Sequence, residues 1–208
     1  MPWSAPSSMP STGASRPSSS DDAFSAWLVG IKAAISGVGG SDVPCGECTA
    51  CCTSSQFIHI EPDERDALAH IPAELLFPAP GRPRGHVLLG YDARGHCPML
   101  VDGACSIYEH RPRTCRVYDC RVFAAAGVDP GDDKPLIASR ARTWRFDYPT
   151  AADRDRHEAV RAAARYLAEH PDARPDGARE PSATQRAVLA IELHEAFLAD
   201  RPDQQGRM

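Results

Sequence analysis

The sequence predicts a mainly α fold with a small β-hairpin, an α+β arrangement in a single domain built around a cysteine cluster. Three observations carry that prediction. Apolar residues recur at helical spacing near both ends of the chain, an Asp-Gly pair between two short runs in the middle marks a tight hairpin turn, and all eight cysteines fall between residues 45 and 120. With 208 residues, 42% hydrophobic and 25% charged, the composition excludes a fibre or a wholly disordered chain.

The elements follow in order. Residues 1–20 hold eight Ser and four Pro with Trp3 as their only aromatic, which predicts a disordered tail. A helix comes next: Asp21 and Asp22 suit its first turn, and Phe24, Trp27, Leu28, Ile31, Ile35 and Val38 form one stripe before Gly37, Gly39 and Gly40 end it. A strand is expected at residues 56–60, a short helix at 62–71 opening on Pro62, a Pro- and Gly-rich loop at 72–85 and a second strand at 86–91. Residues 97–108 read as the hairpin, turning at Val101-Asp102-Gly103-Ala104, because Asp-Gly tolerates the positive φ such turns need. A helix over 109–126 carries Cys115 and Cys120, and further helices are expected at 151–170 and 184–199. The domain reading is a cysteine-cluster domain over 21–170 with its motif core at 45–120, a linker rich in Pro, Asp and Arg over 171–183, and a C-terminal helix and tail over 184–208.

Twenty-three basic residues against 28 acidic ones give a net charge of -5, so the overall balance calls for neither a nucleic-acid partner nor an anionic membrane. No apolar run approaches the roughly 18 to 20 residues that cross a bilayer, and the first twenty residues lack the apolar stretch of a secretory signal. The chain is therefore expected in the cytoplasm. Thiols stay reduced there, so clustered cysteines point to bound metal or to chemistry rather than to disulfides.

The densest feature is Cys45-Gly-Glu-Cys48-Thr-Ala-Cys51-Cys52. Two residues between cysteines let one turn bring both sulfurs to one ion. As a helix, at about 100° per residue, the segment would put Cys45, Cys48 and Cys52 within about 60° of one another and Cys51 about 120° from Cys45. As an extended chain, it would point Cys51 and Cys52 to opposite sides. The bacterial ferredoxin run and the usual radical-enzyme spacing both fail, because Ser55 stands where each needs its last cysteine. A centre held by this chain would then draw on both cysteine groups, about 45 residues apart, and bind them into one fold.

The second group runs Cys97-Pro98-Met99-Leu100, then Cys105-Ser106-Ile107-Tyr108, Arg111-Pro112-Arg113-Thr114-Cys115-Arg116 and Cys120. In this order, after the Cys-x-x-Cys-x-x-Cys-Cys run, the motifs resemble the bacterial YkgJ-type cysteine-cluster proteins, a family of zinc- or iron-chelating CxxCxxCC domains. The resemblance implies that Cys45, Cys48, Cys51, Cys52, Cys97, Cys105, Cys115 and Cys120 all belong to a metal-binding core. The flagellin lysine methylases carry a similar cluster, but this chain has no Gly-x-Gly-x-x-Gly nucleotide-binding run.

A four-thiolate site is net negative, so Arg111, Arg113, Arg116 and Arg121, set among the last two cysteines, are candidates to face the cofactor, although 21 Arg against two Lys makes Arg common throughout. His59 and His96 lie near the cysteine groups as replacement ligands, with an ordinary core or solvent role as the plainer reading. Tyr108 and Tyr118 flank the second group and suit either core packing or contact with a cluster. No Gly-x-Ser-x-Gly, P-loop or His-Glu-x-x-His run is present, which removes the common hydrolase, nucleotidase and metalloprotease readings.

The expected cofactor is an iron-sulfur cluster or zinc, in one or two centres, with iron preferred because a structural zinc site rarely needs adjacent cysteines. Two further readings stay open: a metal-dependent redox or protein-modifying enzyme, and a zinc-stabilised interaction or metal-delivery module whose C-terminal helices meet a protein partner.

Overall fold

The computed structural model describes residues 23–41, 43, 48–131, 134–171 and 180–199. The predicted tail, Asp21, Asp22, Pro44, Cys45 and most of the predicted linker lie outside the described residues.

The N-terminal stripe forms helix α1, Phe24–Ile35, which buries Phe24, Trp27, Leu28, Ile31 and Ala34. Val38 does not join them and is 70% exposed, because Gly37 at φ 79° has already turned the chain. The C-terminal periodicity gives α6, Ala151–Glu169, and α7, Ala183–Ala199. Helix α6 opens on a capping box in which Asp153 Oδ2 accepts from the Thr150 backbone N–H at 2.9 Å and Asp153 N–H donates to Thr150 Oγ1 at 3.3 Å. The other oxygen of Asp153 accepts from the Ser25 backbone N–H at 3.0 Å and so fastens the start of α6 to α1. Facing alanines, Ala159, Ala163 and Ala164 on α6 with Ala187 and Ala190 on α7, are buried and let these two helices pack closely. With α4, Arg121–Ala126, and α5, Pro135–Thr143, they enclose a helical core that includes Phe123, Ile137, Val160 and Ile191.

A second, smaller core is built on strands. β1, Ile58–Ile60, and β3, Val87–Leu89, pair antiparallel with Ile58 opposite Leu89, and β2, Leu76–Pro78, adds on the other side of β3 to give the order β1-β3-β2. Between β1 and β2 lie α2, Arg65–His70, and a 3-10 turn, Ala73–Leu75. Residues 72–85 were expected to be loop throughout; β2 forms there because Leu76 and Phe77 find Leu89 and Leu88 across the sheet, and Pro78 is tolerated at its edge. The hairpin forms as predicted, β4, Leu100–Val101, against β5, Ala104–Cys105, with Asp102 at φ 49° and Gly103 at φ 78° in the turn. Ile60, Ile71, Leu89 and Ile107 are the buried centre of this cluster.

The single helix expected over 109–126 is instead broken into a 3-10 turn, Tyr108–His110, then α3, Arg113–Val117, and α4. Pro112 forces Arg111 into extended backbone, φ -56° and ψ 139°, which prevents a helix from running through. Asp119 makes the second break, since its carboxylate accepts from the Arg121 backbone N–H at 2.9 Å and draws the chain into a turn before α4. Helix α5 was not expected from the sequence; its burial rests on Ile137, Ala138 and Ala141 alone. None of the helices in the described residues is long and apolar enough to cross a membrane.

Candidate metal centre

The seam between the two cores is where the cysteines meet. Cys120 is buried in the helical core and Cys51 packs against it, whereas Cys97 and Cys105 pack against the strand core. A cavity of about 300 Å³ occupies the seam, and Cys48, Cys51, Cys52, Cys97, Cys105, Cys115 and Cys120 all line it. No disulfide joins any of these seven.

Local backbone explains how the early stretch delivers its sulfurs. The Thr53 N–H donates to Thr49 O at 3.0 Å, giving one helical turn around Cys51 and Cys52 rather than a long helix or a strand. That turn is tied to the hairpin by Cys97 N–H donating to Cys52 O at 2.7 Å and Ser55 N–H donating to Gly95 O at 2.9 Å. Glycine is required at position 95: φ is +80°, and a Cβ there would stand 2.3 Å from Ser55 Oγ.

Electrostatics divide the thiols into two sets. Burial first, then the nearby Cys97, Cys52 and Cys105, push Cys115 up to about 12, with Arg111 opposing them. Burial likewise raises Cys97, with Cys105 adding to the shift and the backbone N–H groups of Met99 and Leu100 acting against it by favouring the thiolate. The second set gathers about Tyr118. Burial raises the pKa of this phenol, and Cys51, Cys120 and Asp119 raise it again. Its buried hydroxyl, on the wall of the thiol cavity, has no hydrogen-bond partner among the described residues.

The predicted arginines divide as well. Arg111 lines the cavity and lies over the Tyr108 ring at 3.5 Å, its Nε donating to Tyr108 O at 2.7 Å. Arg113 turns to the β1–α2 loop, where it pairs with Glu61 and with Asp63 at 3.0 Å. Arg116 is exposed, and Arg121 is buried against Asp119 at 2.7 Å. Sequence reasoning missed Arg140 and Trp144, which also line the cavity, and Trp144 Nε1 donates to Cys120 Sγ at 3.1 Å. Both sit at or near α5, the helix without a strong periodic signal. Among the described residues that line the cavity, Tyr108 and Tyr118 are present and His59 and His96 are not; His59 stacks on His86, with Nε2 3.0 Å from His86 Nδ1.

Crowded, half-buried thiols with cationic and N–H groups beside them suit a thiophilic metal, whose charge would offset the burial and the neighbouring sulfurs that raise Cys97 and Cys115. Residues 44–133 match the family model CxxCxxCC, described as "Putative zinc- or iron-chelating domain". Over this stretch the chain is similar to the CxxCxxCC domain. No curated protein and no solved structure matches the chain. The CxxCxxCC match covers all eight cysteines, both strand systems and α3 and α4, and it supports metal binding, with zinc and iron as the two ions its description names.

Proposed function

We propose that this CxxCxxCC protein holds iron-sulfur centres at the seam, bound by two sets of thiolates: Cys52, Cys97, Cys105 and Cys115 in one, and Cys48, Cys51 and Cys120 with Cys45 in the other. The observation that carries the reading is the convergence of seven cysteines from two remote stretches on one cavity. The adjacent pair Cys51 and Cys52 serves different sets, which explains why two cysteines stand side by side.

The adjacent cysteines favour a cluster over a bare structural ion, since a four-thiolate zinc site rarely needs two cysteines side by side. Arg111 and Arg140 offset the negative charge, the Trp144 N–H donates to the Cys120 sulfur, and the unpartnered Tyr118 hydroxyl on the same wall is free to donate to a bound centre.

Purification of the full chain without oxygen tests the reading. Brown protein with iron and acid-labile sulfide in equal amounts is expected. Colourless protein with stoichiometric zinc would overturn the iron assignment while leaving the thiol sites in place.

A further inference from the structure

Asp66 and His70 stand one helical turn apart on α2, so they share a face. The 3-10 turn Tyr108–His110 lays a second imidazole against that face: the rings of His70 and His110 stack with centroids 3.5 Å apart and planes 4° apart. Their Nδ1 atoms both look toward one carboxylate. His110 Nδ1 is 3.0 Å from Asp66 Oδ2, and His70 Nδ1 is 3.6 Å from Asp66 Oδ1. One donor atom from each of the three residues lies within 4.8 Å of the other two.

Two neutral imidazole nitrogens and one carboxylate oxygen form a ligand set for a borderline divalent ion, and the set contains no sulfur. A tetrahedral ion about 2.1 Å from each donor needs donors about 3.4 Å apart. His110 Nδ1 and His70 Nδ1 lie 3.1 and 3.6 Å from the same oxygen, Asp66 Oδ1, values that bracket it, and side-chain rotations that turn the two parallel rings toward the ion close the site. The ion would replace the proton held between His110 and Asp66, and it would cost His70 its Nδ1 bond to Asp66 O, now 2.8 Å.

We propose that Asp66, His70 and His110 form a second metal site, one that takes a single first-row divalent cation such as Zn²⁺, Ni²⁺ or Co²⁺, with water completing the coordination. All three side chains are at least 39% exposed, so the bound ion exchanges freely with solvent. His110 sits between Tyr108 and Arg111, both on the wall of the thiol cavity, so the site stands at the rim of that opening. It is independent of what the thiols hold.

Titration of Ni²⁺ into the full chain as purified, with its thiol centres loaded, tests the assignment. One added ion per chain is expected by calorimetry and elemental analysis, with paramagnetic broadening of the His70 and His110 imidazole NMR signals. His70→Gln and His110→Gln should each weaken binding at least ten-fold, with the circular dichroism of the fold unchanged, and Asp66→Asn gives the same readout through the oxygen donor. His86→Gln, in the other stacked histidine pair, should bind as the parent does. No added ion in the parent chain, or undiminished binding in the three site variants, would overturn the proposal, and neither result depends on the metal at the thiols.

Discussion

The indole N–H of Trp144 donates to Cys120 Sγ at 3.1 Å, across the junction between the end of α5 and the turn that begins α4. Cys120 is 6% exposed, so this bond sits where water competes little with it. Arg140 lies over the same indole at 4.3 Å and adds positive charge on its face. Trp144→Phe keeps the ring and removes the donor. A bond of about 1 kcal/mol corresponds to about five-fold, so the variant should fold and release metal to a chelator roughly five times faster than the parent. An unchanged release rate would remove Trp144 from the account of the centre.

Cys115→Ser and Cys120→Ser fall in different thiol sets and should act on different ions. Each variant is expected to lose about half of the metal bound by the parent, and the double variant nearly all of it. Elemental analysis after oxygen-free purification reads this directly. If either single change empties the protein completely, the thiols serve one centre.

Asp119 holds the cysteine segment to α1. Its carboxylate accepts from Trp27 Nε1 at 2.9 Å, from Ser41 Oγ at 2.8 Å and from the Arg121 guanidinium at 2.7 Å, and its side chain is wholly buried. Asp119→Ala leaves Arg121 without its buried carboxylate, a loss of about 3 to 5 kcal/mol. Urea unfolding of the variant should give a midpoint far below that of the parent, and a shift under 1 kcal/mol would contradict the role given to this carboxylate.

Hydrogen bonds from Ser25 and Thr150 hold Asp153 well below the ordinary carboxylate range. A depressed carboxylate stabilises the fold above its unfolded pKa, about 3.9, and that contribution is lost as the pH falls through the folded value. Asp153→Asn should therefore cost about 1 to 3 kcal/mol at neutral pH. The gap between variant and parent should narrow steadily below about pH 4. Thermal unfolding of both proteins from pH 7 to pH 2 gives the comparison, and a gap independent of pH would refute the assignment.

Wherever one residue carried a strong local signal, the sequence was readable. Asp102-Gly103 placed the hairpin turn, the Phe24 to Ile35 stripe placed α1, and the cysteine spacing marked Cys48, Cys51 and Cys52, while the family resemblance added Cys97, Cys105, Cys115 and Cys120, which line the same cavity. Partner-dependent features were not. Leu76 and Phe77 become a strand only because Leu89 and Leu88 are there to pair with, and α5 offers a core face of one isoleucine and two alanines. The break at Asp119 depends on Trp27, 92 residues away, as well as on its near neighbour Arg121. For the same reason Trp144, 24 residues past Cys120, could not be linked to that sulfur by spacing. The arginines show the converse: closeness in sequence suggested a common role, but Arg113 turned to Glu61 and Asp63 because carboxylates were nearer to it than thiols.

The seam between the helical and strand cores gives the thiols a mechanical property. Cys120 and Cys51 travel with one packed body, Cys97 and Cys105 with the other. Partial opening along that boundary, which requires neither body to melt, would pull the donors apart by leverage alone. Anything held there clamps the halves shut, and whatever pries them apart sets it loose.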